Sequence, residues 1–316
     1  MSMPTHISKN RDFNISPGVI ITGKWHKKQY QIIKPLGFGA QGSVFLAHSE
    51  YGRVALKFSW DNANITSEVN VLKKFAKVQG SALGPSLYDV DDWVTHRGTY
   101  SFYAMEFIVG TPFLECLRVR GFEWASVFML QLLKDLERLH REGFVFGDLK
   151  PENLIVTGPP LKIRWLDVGG ITEMGRSVKE YTEFYDRGYW GMGSRKADPA
   201  YDLFAAAMLM LHAADFRRFE KGNNPEKQLM TKVNDHPLLK PFAPVLTKAL
   251  KGQYKDARTM RDEWLAITRE TIIDVDRNTN RSTRTRMRKK KEWKGTFILA
   301  LAIFFAYFIY VTFFVM

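Results

Sequence analysis

The sequence predicts an α+β fold with two lobes, a smaller β-rich lobe followed by a larger helical lobe, and one apolar helix near the end of the chain. Three observations support this expectation. Residues 30–107 contain short runs rich in Val, Ile, Leu and Phe between glycine-containing turns, which is the pattern of strands. Residues 108–266 carry apolar residues at helical spacing instead. Residues 296–316 form an uncharged, strongly apolar run.

Three strands are predicted in the first lobe, at residues 31–36, 43–48 and 53–60. The first two are joined by Gly37-Phe38-Gly39-Ala40-Gln41-Gly42, a GxGxxG pattern in which glycines let backbone N–H groups approach phosphate oxygens closely. A dinucleotide-binding fold requires a helix after these glycines, but a strand follows here. The segment therefore indicates a phosphate-binding turn between two strands.

A lysine and a glutamate follow that are suited to holding a nucleotide. Lys57 lies near the end of the third strand among apolar neighbours, where an unpaired ammonium is costly to bury. Glu68 is the only acidic residue in the short helix predicted next, so it can pair with Lys57 and direct it to the α- and β-phosphates. A lysine exposed at the end of a strand is the plainer interpretation of Lys57.

The second lobe contains two clear helical patterns. Residues 124–140 carry an apolar stripe at a spacing of about 3.6 residues, and Gly143 follows as a helix stop. Residues 202–212 are almost uniformly apolar, which predicts a central, buried helix. The prolines Pro237, Pro241 and Pro244 divide the helices that come later.

The most informative segment is Phe146-Gly147-Asp148-Leu149-Lys150-Pro151-Glu152-Asn153. Asp148 can accept the proton of an attacking hydroxyl, Lys150 can neutralise a transferred phosphoryl group, and Asn153 can hold a metal ion. A β-hairpin is predicted at residues 154–156 and 163–166, and Asp167 follows it. Because hard cations prefer carboxylate oxygens, Asp167 can ligate a Mg²⁺ that bridges phosphates.

In this order and spacing, the motifs resemble the catalytic domain of the bacterial Hanks-type (eukaryotic-like) serine/threonine protein kinases, over residues 30–266. The resemblance implies a bilobal protein-kinase fold that uses ATP with Mg²⁺ or Mn²⁺ to phosphorylate Ser or Thr of proteins, itself included. It implies that the catalytic residues are Asp148, Lys150, Lys57 and Glu68, and that the metal ligands are Asn153 and Asp167. It implies nucleotide contacts from the glycine-rich loop, its flanking strands and the hinge between the lobes: Gly37, Phe38, Gly39, Gly42, Val44, Ala55, Lys57, Met105, Glu106 and Ile108.

The resemblance also implies that Asp202, at the start of the central helix, braces the catalytic loop, and it exposes three departures. Phe146-Gly147 stands where the family has His-Arg, so we expect the arginine clamp on a phosphorylated activation loop to be absent. Val168 replaces the usual Phe. An Ala-Pro-Glu sequence is not evident in residues 181–190, so Arg258 lacks its expected carboxylate. Candidate autophosphorylation sites in this segment are Ser177 and Thr182.

Charge and hydropathy predict a membrane anchor. Residues 296–316 would span about 31 Å as a helix, enough for a bilayer core. Eight basic residues between 281 and 294 precede the span, and Lys and Arg beside a span stay cytoplasmic. We therefore expect a single-pass protein of the cell membrane with its catalytic domain in the cytoplasm. The polar N-terminal extension, residues 1–29, contains no apolar run of the kind that forms a secretory signal.

The basic linker, residues 267–294, predicts an anionic partner, in keeping with the formal net charge of +13. Anionic lipid and sequence-nonspecific DNA are both candidates, and the layout resembles the membrane-anchored, DNA-responsive kinases of endospore-forming bacteria. That resemblance favours DNA, which would gather copies for trans-autophosphorylation through self-association. The candidate contacts are Arg281, Arg284, Arg286, Arg288, Lys289, Lys290 and Lys291.

Two other functions stay open at this point. One is a pseudokinase that serves only as a scaffold on DNA and membrane, although such a scaffold has no need of Lys57, Asp148, Asn153 and Asp167 together. The other is a small-molecule kinase, in which a glycine often precedes the catalytic aspartate. Cys116 is the only cysteine, so an internal disulfide is excluded, and it is expected to be a small buried apolar residue.

Overall fold

A computed structural model of the chain describes Phe13 and residues 15–39, 42–76 and 83–270. The described residues up to Trp264 belong to one unit, and residues 265–270 belong to a second. The basic segment at residues 281–291 and the predicted transmembrane helix at residues 296–316 lie outside the described residues. Among the helices that the structure describes, none is both long and apolar enough to cross a membrane.

The first lobe is a six-stranded antiparallel sheet, in the order β1-β2-β3-β4-β6-β5. Its strands are β1 (Ile20–Thr22), β2 (Gln29–Gly39), β3 (Gly42–Ser49), β4 (Gly52–Ser59), β5 (Leu87–Thr95) and β6 (Gly98–Glu106). The three predicted strands are confirmed as β2, β3 and β4. The sheet keeps one register from β3 to β4, in which Val44 is opposite Lys57.

The predicted N-terminal extension contributes to this lobe. Its strand β1 pairs with β2 along three residues. Phe13 is buried and stacks on Trp60 with ring centroids 3.7 Å apart, while Tyr100 meets it edge-on. The sheet therefore begins before Tyr30, because a short apolar segment that is weak by itself gains stability by pairing with a longer strand.

One helix, α1 (Asn62–Ala76), packs on the sheet between β4 and β5 in the chain. Its buried face carries Ile65, Val69, Leu72 and Phe75 at helical spacing, and Glu68 lies on the same face. Because the rest of that face is apolar, Glu68 is carried into the interior of the lobe, where it needs a partner.

The second lobe is mainly helical, with α2 (Phe113–Arg120), α3 (Glu123–Arg141), α4 (Pro199–Asp215), α5 (Pro225–Asp235), α6 (Ala243–Leu250) and α7 (residues 257–270). Its short strands are β7 (Thr111–Pro112), β8 (Phe144–Val145), β9 (Leu154–Thr157), β10 (Lys162–Trp165) and β11 (Thr172–Glu173). They form a three-stranded sheet β10-β9-β7 and a two-stranded sheet β11-β8. The bilobal arrangement and the predicted hairpin are confirmed.

The central helix α4 fixes the position of the catalytic loop. Its N-terminus is capped by Asp198, whose side chain accepts a hydrogen bond from the Tyr201 amide, and Pro199 occupies the first turn. Residues 201–213 are all buried, as the uniformly apolar pattern predicted. Asp202 lies in the first turn of this buried helix, so its carboxylate must find partners inside the protein.

Candidate active site

Lys57, Glu68 and Asp167 converge between the lobes. The ammonium nitrogen Nζ of Lys57 lies 2.8 Å from Oε2 of Glu68 and 2.9 Å from Oδ1 of Asp167. Burial by itself would lower the pKa of Lys57, but the charges of Asp167 and Glu68 outweigh it and raise the pKa above its ordinary value. The same lysine outweighs the effect of burial on Asp167 and lowers the pKa of that carboxyl. Lys57 and Asp167 are therefore both charged at neutral pH.

Tyr103, on β6, supports this cluster from behind. It is opposite Lys57 in the β4–β6 register, and its hydroxyl donates a hydrogen bond of 2.5 Å to Oε2 of Glu68. Burial and the nearby Glu68 carboxylate raise the pKa of Tyr103 well above its ordinary value, so it stays a donor. Glu68 is thus held by two partners on two different strands.

The catalytic loop is anchored by the buried carboxylate of Asp202. It accepts hydrogen bonds from the backbone amides of Phe146 at 2.7 Å and Gly147 at 2.9 Å, and His140 Nε2 lies 2.9 Å away. This is the brace that the resemblance implies. It ties the loop to the central helix, so the side chains that follow are held by a rigid element.

The glycine at position 147 has a structural reason. Its φ is +81°, and a Cβ atom there would lie 2.5 Å from the carbonyl oxygen of Gly170. No other residue fits this backbone path without a shift of the loop. The arginine that the family has before the catalytic aspartate would therefore require this loop to move.

Asp148 lies at the centre of a second cluster. Lys150 Nζ is 2.5 Å from Asp148 Oδ2, and the Thr182 hydroxyl donates to Asp148 Oδ1 at 3.1 Å. Lys150 also donates to the Thr182 oxygen at 3.3 Å, and Asn153 Nδ2 donates to the Asp148 carbonyl at 2.9 Å. Both lysine and threonine thus orient the carboxylate that was expected to accept the hydroxyl proton.

Thr182 is one of the two candidate autophosphorylation sites, and its hydroxyl belongs to this cluster. A phosphate on Thr182 would place a charge of about −2 beside the Asp148 carboxylate. The other candidate, Ser177, is exposed and forms a β-bridge with Lys196, so it is accessible to a second copy. Autophosphorylation at either residue stays a prediction.

The hairpin β9–β10 brings Asn153 and Asp167 together. Asn153 immediately precedes β9, and Asp167 comes two residues after β10, so both lie at the same end of the hairpin. The Leu166 amide donates to the Asn153 carbonyl at 2.9 Å, which closes that end. The Asp167 side chain is 41% exposed. One amide oxygen and one carboxylate on neighbouring chain segments fit a hard divalent cation.

Glu180 is a further carboxyl of this region that the sequence did not single out. Burial, together with the charges of Asp167, Asp148 and Glu68, raises its pKa to about 7, and Lys57 only partly opposes them. Such a concentration of acidic groups is relieved by a bound cation. Only the fold reveals it, because these four residues are far apart in the sequence.

Most of the residues expected to bind the nucleotide lie on strands β2, β3, β4 and β6 of the first lobe. Across β2 and β3, Gly37 is opposite Val44 and Gly39 is opposite Gly42, with residues 40–41 outside the described part. Gly42 has a φ of +156°, and a Cβ there would lie 1.8 Å from the Phe58 carbonyl oxygen, so the turn requires glycine.

Farther along the cleft, Ala55 is buried opposite Met105 in the β4–β6 register. The Phe38 ring is exposed, and the Ile108 side chain is buried. The Glu106 carboxylate accepts two hydrogen bonds from Arg164, at 2.5 and 2.9 Å. The Glu106 side chain is thus occupied by Arg164, so the nucleotide contact predicted at Glu106 would use its backbone groups.

The activation segment ends in a network that sequence reasoning missed. The Asp186 carboxylate is fully buried and accepts from the amides of Gly188 and Tyr189, from Arg195 Nε at 2.8 Å and from the Tyr201 hydroxyl at 3.0 Å. By contrast, Arg258 is largely exposed, with Asp262 at 3.9 Å. The segment is thus fixed to α4 through Asp186.

Comparison with known proteins decides the family. A family model for the protein kinase domain matches residues 30–289. The chain belongs to the protein kinase family. The kinase is 48% identical over 290 residues to the serine/threonine-protein kinase YabT of Bacillus subtilis (strain 168), a match that covers 90% of this chain and 85% of that protein.

More distant relatives include two eukaryotic kinases. The kinase is 26% identical over 217 residues to cyclin-dependent kinase F-3 of Oryza sativa subsp. japonica, and 27% identical over 212 residues to serine/threonine-protein kinase MAK of Mus musculus. These matches cover 64% and 62% of this chain but only 48% and 32% of those proteins. The kinase is therefore a serine/threonine protein kinase, an enzyme of a family that uses ATP and a divalent metal ion and acts on proteins. The scaffold and small-molecule alternatives receive no support.

Proposed function

We propose that the kinase transfers the γ-phosphoryl group of ATP-Mg²⁺ with Asp148 as the base and with Lys57, Asn153 and Asp167 as the holders of the bound triphosphate and metal. The observation that carries this proposal is the convergence of two clusters, Lys57–Glu68–Asp167 and Asp148–Lys150–Thr182, on one cleft. When bound, the metal would supply charge neutralisation at the phosphates, held by Asn153 and Asp167.

Asp148 is suited to accept a hydroxyl proton because its orientation is fixed from three sides. Lys150 and Thr182 bind its two carboxylate oxygens, and Asp202 holds the backbone just before it. A base held in place loses little entropy when the acceptor hydroxyl arrives. Lys150, beside it, would also neutralise charge on the phosphoryl group in flight.

Lys57 is suited to bind phosphate because its charge is already paired on both sides. Glu68 holds the ammonium in place, and Asp167 connects it to the metal end of the hairpin. An ammonium held in this way can exchange part of its contact with Asp167 for phosphate oxygens without a change of rotamer.

The test is phosphorylation of a protein acceptor with labelled ATP and Mg²⁺ by the full chain and by Asp148→Asn and Lys57→Met. Removal of the base is expected to lower kcat by about 10²–10⁴-fold, and removal of the lysine by a similar factor. Lys227→Met, at an exposed lysine of α5, is the control and should keep full activity. Wild-type rates in both site variants, with intact thermal melts, would refute these roles.

We also propose that the kinase binds DNA. Seven basic residues between Arg281 and Lys291 support binding of a phosphate backbone without sequence preference. Copies held along one DNA molecule would reach a high local concentration, which favours phosphorylation of one copy by another. Autophosphorylation is expected to rise with duplex DNA and to fall again at excess DNA, when copies separate. Replacing all seven residues with Ser should abolish the stimulation and leave DNA-free activity unchanged; stimulation that survives would exclude this segment.

We further propose that the kinase is anchored in the cell membrane. The apolar run at residues 296–316 and the basic residues before it support a single membrane span with the kinase domain in the cytoplasm. The full chain should remain in the membrane fraction after an alkaline wash, and a variant that ends at residue 294 should be released. Protease added outside intact cells should leave the kinase domain uncut. Cleavage of the domain under those conditions would reverse the orientation.

A further inference from the structure

A large groove lies on the helical lobe, at the side away from the metal end of the β9–β10 hairpin. Its volume is about 930 Å³, at the upper end of the range for ligand sites. One wall is the exposed face of α3, the opposite wall is the start of α7, and the floor is the hairpin turn with Pro160, Leu161 and Ile163. It thus combines an apolar floor with polar walls.

The walls are strongly basic. Six basic and two acidic residues line the groove, a net charge of +4: Lys134, Arg138, Arg141, Lys162, Arg258 and Arg261, against Asp135 and Glu137. Glu137 is shared by Arg141 and Arg261, and Asp135 lies 3.5 Å from Arg138. For Lys134 and Lys162 no ion pair is present within the described ranges. The positive charge therefore exceeds what the groove's own carboxylates can neutralise.

The floor of the groove is fixed in position. The side-chain amide of Gln131, on α3, accepts from the Ile163 amide at 2.9 Å and donates to the Leu161 carbonyl at 3.2 Å. This double contact clamps the hairpin turn to the helix, so that a ligand would meet a preformed surface.

We propose that this groove docks an acidic segment of the protein substrates. Carboxylates of such a segment would meet Lys134, Lys162 and Arg258, and an apolar side chain between them would cover Leu161. The groove and the metal site lie at opposite ends of β10, whose length is about 10 Å, so the docked segment and the phosphorylated residue would be separated by at least about three residues.

The charges distinguish this occupant from two others. The chain's own residues 281–294 carry eight basic side chains and Glu292, so they are repelled by the groove. A DNA backbone would match the basic walls, but it has no apolar group for the floor. A peptide can place acidic and apolar side chains alternately, which fits both features.

The inference rests on the proposed phosphotransfer, and its test has a separate binding readout. The probe is a labelled peptide in which pairs of Glu alternate with Leu, and its partner carries Gln in place of each Glu. Binding to the full chain is measured by fluorescence anisotropy for wild type, for Lys162→Glu with Arg258→Glu, and for a control, Arg217→Glu with Lys227→Glu. Both variants change the net charge equally, at exposed sites, so binding to the basic linker affects all three chains alike.

We expect the groove variant to weaken binding of the acidic peptide about tenfold or more and the control to change it less than about twofold. The Gln peptide should bind weakly to all three. When the acidic segment is joined to an acceptor peptide, only the groove variant should raise KM, whereas a short acceptor without that segment should be phosphorylated equally by all. If the wild type does not phosphorylate the short acceptor, that result would contradict the proposed phosphotransfer and not the docking site.

Equal weakening by both variants, or equal binding of the Glu and Gln peptides, would overturn the docking site. So would the opposite selectivity, in which the groove variant loses affinity for duplex DNA while it keeps the acidic peptide. That result would assign the groove to nucleic acid.

Discussion

Tyr103 donates a hydrogen bond to Glu68, which in turn pairs with Lys57. Replacement of Tyr103 by Phe removes only its hydroxyl. Tyr103→Phe is expected to lower the free energy of unfolding by about 1.5–3 kcal/mol, because a buried hydrogen bond to a charged group is lost. Activity should fall as well, since Glu68 becomes free to turn away from Lys57. Chemical denaturation and initial rates measure the two effects. Tyr51→Phe, on the exposed side of the same lobe, is the control. It should change neither the activity nor the contacts of Lys57 with its two carboxylates.

Gly147 has a positive φ and no room for a side chain. Gly147→Ala should destabilise the kinase by roughly 3 kcal/mol or more, because the new Cβ would clash with the Gly170 carbonyl at a positive φ. Gly143→Ala is the matched control, since its φ is nearly the same, +82°, but the surrounding space is open. It should cost only about 1–2 kcal/mol. Equal effects in denaturant titrations would show that the Gly170 contact is unimportant.

The sequence indicated the charged residues of the cleft because they stand in short motifs with fixed spacing. Tyr103, Glu180 and Asp186 could not be found in that way. Each acts through contacts with residues distant in the chain, such as Glu68, 35 residues before Tyr103, and Tyr201, 15 residues after Asp186. Nothing in the composition around them differs from that of an ordinary strand or loop.

At the scale of elements, α3 carries a partly buried acid that makes stability depend on pH. Burial raises the pKa of Asp135 to about 6, and Arg138 and Lys134 only partly oppose it. The folded chain therefore binds more protons than the unfolded chain between about pH 4 and pH 6, and this contribution to stability is lost as pH rises through 6.

Asp135→Asn should remove that dependence. From pH 4.5 to pH 7.5 the wild type is expected to lose roughly 2 kcal/mol relative to the variant, so the variant should be the more stable protein at neutral pH. Urea titrations at the two pH values measure the difference. Asp235→Asn, at an exposed site on α5, should run parallel to wild type. A parallel course for Asp135→Asn would contradict the assignment.

Element prediction succeeded where one face or all faces of a helix are apolar, as in α3 and α4. It was incomplete for β1, whose three residues have no alternation long enough to detect and depend on pairing with β2. The prolines at 241 and 244 did coincide with the start of the short turn before α6 and with α6 itself. The remaining elements depend on pairing with distant parts of the chain rather than on the local propensity of their residues.

For the whole molecule, DNA binding through the basic linker should depend steeply on salt. If seven phosphates are neutralised, the logarithm of the binding constant should fall against the logarithm of salt concentration with a slope of about −6. Filter binding or anisotropy with the full chain, from low to physiological salt, gives this slope. Each basic residue replaced should reduce its magnitude by about one, and a slope near zero would exclude a phosphate-backbone mode.

The network around Asp186 has a consequence for how such an enzyme is governed. The partners of Asp186 are all groups present as soon as the chain is synthesised, and Thr182 joins Asp148 without any modification. A newly folded copy should therefore be active at once, without prior phosphorylation by another kinase molecule. We expect the rate of phosphorylation between copies to be limited by the number of copies and the distance between them. An active copy without a neighbour has no second copy to phosphorylate.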